Sequence, residues 1–169
     1  MRFHYYSYLN NIIMGILDLL PPPLRKLFFT LTLQDFGKKS FIDYDFYYRY
    51  GDKIHIGQNV TINRGCQIFP SYKIRSAQII IKDNSVLSPG VKLFGAGHDI
   101  HSLALPDKAG QIVISENCFI GANSIIRYGV TIGQGSVIGA GAVVVSDVEP
   151  WSVYAGNPAK KIKNRKILD

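Results

Sequence analysis

From Ile114 to Val148 a large aliphatic residue returns at every sixth position, at Ile114, Ile120, Ile126, Ile132, Ile138 and Val144. Four positions after each stands a small or β-branched residue: Cys118, Ser124, Val130, Ser136, Ala142 and Val148. A repeat of six fits neither the helical period of about 3.6 nor the strand period of about 2 carried over many residues. Within it, each small residue and the next aliphatic are two apart, so on a short strand they share one face. The triplets between them, GAN (121–123), RYG (127–129), GQG (133–135) and GAG (139–141), are rich in residues that tolerate tight bends. Each unit is therefore a short strand and a corner.

One such unit cannot bury its aliphatic side chain alone. Successive units must wind into a coil and stack on the coil beneath, at roughly 4.8 Å per layer, which predicts a β-solenoid. Earlier hexads start at Ile56, Ile62 and Ile68, with Val60, Cys66 and Tyr72 in the small positions, and resume at Ile81, Leu87 and Leu93, with Ser85 and Val91. Between the two sets, FPSYKIRSAQ (69–78) shifts the phase by one residue and predicts a short bulge or loop. The pattern is lost again after Leu93 and regained at Ile114. The intervening stretch predicts a loop over 94–111 that leaves the wall, the kind of segment in which function concentrates on a rigid scaffold.

Residues 1–40 do not fit the repeat. IIMGILDLL (12–20) and LRKLFFTLTL (24–33) predict two short amphipathic helices separated by Pro21, Pro22 and Pro23. Neither reaches the roughly 20 apolar residues that span a bilayer, and the apolar run ends in prolines instead of a small-residue cleavage site. Two roles suit the segment: a cap over the first coil, or an interfacial anchor that turns Arg2, Arg25, Lys26, Lys38 and Lys39 to lipid phosphates. The aromatic run DYDFYYRY (43–50) is read as packing against the cap in preference to a sugar platform. The expected layout is a helical segment over 1–40, a coil over 41–150 and a basic C-terminal segment over 151–169, the last a short helix or strand.

The formal charge of +7 calls for an anionic partner, but the chain carries none of the usual nucleic-acid-binding motifs and its cations are scattered except near the C-terminus. A phosphorylated cofactor or an anionic membrane explains the charge, and nucleic acid is not expected. Cys66 and Cys118 both fall at inward hexad positions, which reads as reduced, buried thiols and a cytoplasmic setting.

The tandem pattern [LIV]-G-x-x-[STAVC]-x resembles the hexapeptide-repeat acyltransferases. That resemblance, not the periodicity, implies an all-β, left-handed parallel β-helix of triangular section, and a homotrimer with acetyl-CoA lying in a groove between subunits. GHDIH (97–101) is similar to the GH-x-x-H stretch of galactoside- and maltose-type acetyltransferases, which implies His98 as general base. A histidine titrates near neutral pH and can take a proton from an attacking hydroxyl. The resemblance further implies that Asn63 holds the acceptor hydroxyl, that Ala122 and Ala140 admit the pantetheine arm, and that Lys160 and Lys163 meet the nucleotide phosphates. The family's common VVTKD reads here as Val144, Val145, Ser146 and Asp147, so a Thr and a Lys at the adenine end are missing, with Lys161 or Arg165 available in their place. Asp99 is a candidate to orient an imidazole.

The activity so implied is acetyl transfer to a sugar hydroxyl, the ending PWSVYAGNPAKKIK and the apolar N-terminal segment being most similar to enzymes acting on bacterial surface polysaccharides. It would take place in the cytoplasm or at the inner face of the membrane. Amino-group acetylation and small-molecule acceptors are the near alternatives. A γ-carbonic-anhydrase-like metal enzyme, for which His55 points outward from the wall, and a non-catalytic scaffold are the distant ones; no metal is expected.

Overall fold

The computed structural model describes residues 3–167, and Arg2 lies outside the described residues. Helix α1 spans Phe3–Asp18 and α2 spans Pro22–Thr32. Both begin before the expected 12 and 24. Polar and aromatic residues of 3–11 join α1, and Pro22 stands in the first turn of α2, where the missing N–H has no helical partner to lose.

The coils then run in chain order. The first has β1 (Asp35–Phe36), β2 (Phe41–Ile42) and β3 (Tyr47–Tyr48); the second has β4 (Ile54–Ile56), β5 (Thr61–Ile62) and β6 (Gln67–Phe69). The third has β7 (Ile79–Ile81), β8 (Val86–Leu87) and β9 (Lys92–Phe94), followed by a hairpin of β10 (Ala96–His98) and β11 (Asp107–Ala109). β12 (Ile112–Ile114), β13 (Phe119–Ile120) and β14 (Ile125–Arg127) make the fourth, and β15 (Thr131–Ile132), β16 (Val137–Ile138) and β17 (Val143–Val144) the fifth. β18 (Ser152–Ala155) and β19 (Lys160–Asn164) close the chain.

Equivalent strands pair in parallel into three walls of a left-handed β-helix: sheet A from β1, β4, β7, β12 and β15, sheet B from β2, β5, β8, β13, β16 and β18, sheet C from β3, β6, β9, β14 and β17. Register puts the hexad aliphatics in columns. Ile42, Ile62, Leu87, Ile120 and Ile138 rise through sheet B, and Tyr48, Ile68, Leu93, Ile126 and Val144 through sheet C. From Ile54 to Ile138 the inward aliphatics are almost wholly buried. The inward hydroxyls are paired within the wall, Ser124 Oγ donating to the Gly121 carbonyl at 2.6 Å and Ser136 Oγ to that of Glu149 at 2.6 Å. A buried serine thus serves as a small hexad residue at little cost.

Several local expectations change. The wall starts at Asp35 and continues past Val148 through β18, to which β19 adds antiparallel, so the coil takes in residues on both sides of 41–150. These end rungs lack the hexad signature because each faces a coil on one side only. Tyr72 is exposed instead of filling an inward place, since the chain has already left the wall after Phe69. Phe94 likewise stays in the wall, paired with Phe69 and Arg127, and the excursion over 95–111 is an ordered hairpin. The aromatic run divides by strand alternation: Phe46 and Tyr48 pack inward beneath Phe29 of α2, while Tyr47 stands outside beside Phe69. Arg25 does not face outward. It is buried, donating to the Leu17 carbonyl (2.9 Å), to Asp18 (2.7 Å) and to the Asp43 carbonyl (2.8 Å), and so ties both helices to the first coil.

Candidate active site

Both departures from the coil leave at one corner, after sheet C: residues 70–78 from the second rung and the β10–β11 hairpin from the third. Gly97 lets the hairpin lie flat against the fourth rung, since a Cβ there would stand 2.7 Å from the ring of Tyr128. His98 follows on β10 with its side chain more than half exposed. Its Nδ1 is 2.8 Å from the Leu105 carbonyl across the turn. A carbonyl only accepts, so this contact places the ring proton on Nδ1 and leaves the Nε2 lone pair available.

Opposite His98 stands Asp107, its cross-strand partner, with Oδ1 3.6 Å from Nδ1. The Lys73 ammonium, reaching up from the 70–78 loop, pairs with the other oxygen, and that hydrogen bond holds the Asp107 carboxyl below the usual carboxylate range. Sequence reasoning missed both residues, because a hairpin register cannot be read before the turn is known. Asp99 does not orient an imidazole; its Oδ1 accepts from the backbone N–H of His101 at 3.0 Å and shapes the turn. His101 is exposed.

The other candidates line up on a different edge. Asn63, Ala122 and Ala140 occupy the corner between sheets B and C on rungs two, four and five. Asn63 Nδ2 donates to the Leu87 carbonyl at 2.8 Å, which leaves Oδ1 with no hydrogen-bond partner among the described residues. The Ala122 carbonyl accepts from Gly141 N at 2.8 Å, so those two corners are stacked. Lys160 and Lys163 lie exposed on β19, opposite Ala155 and Val153. Lys161 and Arg165 are already engaged, the first with Glu149 Oε2 at 2.6 Å, the second with the carbonyls of Asn117 (3.1 Å) and Gly135 (2.8 Å). Within the chain, then, the width of sheet C separates Asn63 from His98. Neither cysteine belongs to the site: both are buried, and burial pushes the Cys66 thiol up to about 11 and raises that of Cys118.

The family model of the hexapeptide repeat of succinyl-transferase matches residues 111–146. Galactoside O-acetyltransferase of Escherichia coli K12 is 36% identical over 132 residues, which are 75% of this chain and 62% of that protein. Among solved structures, a galactoside acetyltransferase in complex with coenzyme A superposes with a TM-score of 0.84 at 30% identity, over 94% of this chain and 80% of that one. The chain belongs to the hexapeptide-repeat acetyltransferases. A hexapeptide-repeat acetyltransferase from Vibrio cholerae complexed with acetyl coenzyme A is similar as well, with a TM-score of 0.81 at 29% identity over 91% of this chain and 86% of that one. The chain spans about three fifths of the length of the curated relative it matches. The family match covers its fourth and fifth rungs, where Ala122 and Ala140 sit, and begins after the His98 hairpin.

Proposed function

We propose that this hexapeptide-repeat acetyltransferase moves an acetyl group from acetyl-CoA to a hydroxyl of a sugar acceptor, with His98 as general base. The observation that carries the reading is the Nδ1 contact to the Leu105 carbonyl, which presents Nε2 as the basic nitrogen at an exposed position. His98 Nε2 takes the acceptor proton, the freed oxygen bonds to the thioester carbonyl carbon, and the tetrahedral intermediate collapses as the carbon–sulfur bond breaks, releasing the CoA thiolate. Transfer is direct, in keeping with thiols that are buried and hard to ionise.

Asn63 Oδ1 accepts from the acceptor hydroxyl, Ala122 and Ala140 line the path of the pantetheine arm, and Lys160 and Lys163 take the nucleotide phosphates. Because Asn63 and His98 stand on opposite edges of sheet C, one complete site needs edges from two subunits, and a homotrimer supplies three. The acceptor belongs to a surface polysaccharide or its precursor. The exposed apolar side of the helical hairpin, which includes Ile12, Ile16, Leu27 and Leu31, keeps the enzyme at the inner face of the membrane.

The test is thiol release from acetyl-CoA over a panel of sugars and nucleotide sugars. His98→Ala lowers kcat on the order of a hundred- to ten-thousandfold, while the Lys160→Ala/Lys163→Ala variant raises the KM for acetyl-CoA and leaves kcat in place. Equal turnover of every acceptor by wild type and His98→Ala refutes the mechanism.

A further inference from the structure

A cavity of about 430 Å³ opens between α2 and the first coil. Pro23, Phe29, Phe36, Phe41, Ile42 and Tyr44 make its wall almost entirely apolar. Three cations reach it: Arg25, Lys26 and Lys39. Arg25 is used up, its guanidinium bonded to two carbonyls and Asp18 and lying 4.2 Å from the centre of the Tyr44 ring. Lys26 and Lys39 are exposed, and neither ammonium has a hydrogen-bond or carboxylate partner among the described residues. The one carboxylate between residues 3 and 34 is Asp18, already paired with Arg25. An apolar chamber with two uncommitted cations at its mouth is complementary to a molecule with an aliphatic body and an anionic head.

The surroundings agree. The outer faces of α1 and α2 expose Ile16, Leu19, Leu27 and Leu31, and Ile13 and Ile16 share a second groove with Leu20 and Phe28, so the apolar surface is continuous from one helix to the other. A second copy of the chain is a poor occupant, since a two-fold contact through this face would set the lysines of one copy against those of the other.

We propose that this cavity binds an alkyl phosphate, its chain against the aromatic wall and its phosphate on Lys26 and Lys39. The position bears on the acceptor. Ile42 of the cavity wall pairs in register with Ile62, the residue before Asn63. A sugar borne on the phosphate at Lys39 leaves the cavity at the corner between sheets A and B, one rung down and across sheet B from the asparagine assigned to the acceptor, a consequence that rests on that assignment. Two sources share this chemistry, a membrane phospholipid and a lipid-linked sugar phosphate.

Isothermal titration of the full chain with dodecyl phosphate, below its micellar concentration, tests the cavity alone. Saturable binding is expected, with inorganic phosphate and dodecyl maltoside each at least tenfold weaker, and with a loss of about fivefold for each lysine in Lys26→Gln and Lys39→Gln. Leu27→Glu/Leu31→Glu, on the outer face, keeps this affinity but detaches the protein from phosphatidylglycerol vesicles. Faster acetylation of a dodecyl sugar phosphate than of the free sugar, lost in the lysine variants, identifies a lipid-linked acceptor; no such advantage, with dodecyl phosphate still bound, identifies a membrane lipid. Dodecyl phosphate binding that is absent, or unchanged in Lys26→Gln/Lys39→Gln, overturns the proposal, and vesicle binding by wild type in that event leaves the membrane reading standing without it.

Discussion

The His98 imidazole and the Asp107 carboxylate face each other across a two-stranded hairpin, Nδ1 and Oδ1 3.6 Å apart, because β10 and β11 pair those residues in register. Asp107 is in turn tethered to Lys73 on a different excursion, so the orientation of the histidine depends on a contact between two loops.

That tether is pH-dependent at both ends. The lowered Asp107 pKa means the ion pair persists at and above the ordinary carboxylate range and is lost as pH falls through the depressed value; the raised Lys73 pKa means it is lost at the other limit only in strong alkali. Amide protection over 96–109, taken relative to the intrinsic exchange rate at each pH, should be high between about pH 5 and pH 9 and fall in acid. Lys73→Gln should show the low protection already at neutral pH, with little change in Tm because the pair is exposed.

The two thiols should be silent in the native protein. Ellman's reagent at pH 8 is expected to find neither, and both after denaturation. Since the unfolded thiols ionise near 9.0 while Cys66 in the fold is pushed up to about 11, the folded state is favoured fully below 9.0 and loses about 3 kcal/mol across that interval. Denaturant midpoints measured from pH 8 to pH 11 check the sign and the size.

Two corner glycines should respond for different reasons. A Cβ on Gly121 would stand 2.6 Å from both Ala140 N and the Ile138 carbonyl oxygen, so Gly121→Ala must push the fourth and fifth coils apart, at about 1–3 kcal/mol. Gly141 has open space around it but a φ of +69°, so Gly141→Ala bears only the backbone penalty of roughly 1–2 kcal/mol. Urea titration of both variants separates crowding from conformational strain.

Arg25→Met keeps the apolar stem and removes every donor. The Leu17 and Asp43 carbonyls lose their partner and Asp18 its counter-charge, at a cost of about 2–4 kcal/mol, discounted because Asp18 is a third exposed. The loss falls on the junction between helices and coil. Limited proteolysis should then remove the N-terminal hairpin while the coil stays intact.

The column was legible in the sequence because each rung repeats the same demand: Ile120 must meet Leu87 below and Ile138 above, and only a period of six satisfies it at every level. The same logic explains where reading failed. Asp35–Phe36 and Ser152–Ala155 each have a coil on one side only, so their residues answer to a cap or a terminal strand and drop the pattern. GHDIH marks out His98 in the sequence, whereas nothing marks Asp107 and Lys73, since the register of one hairpin and the reach of a neighbouring loop decide their meeting with it. Arg25 read as a surface cation because nothing in its local run shows that three oxygens from distant segments converge on it.

Both excursions spring from a single vertical edge of the prism, and the remaining two edges turn with short triplets. Evolution, or a designer, can therefore lengthen, shorten or exchange either insertion at that seam while every rung beneath stays in alignment. Chemistry and architecture are separately editable in such a molecule, and substrate range can drift without the scaffold being renegotiated.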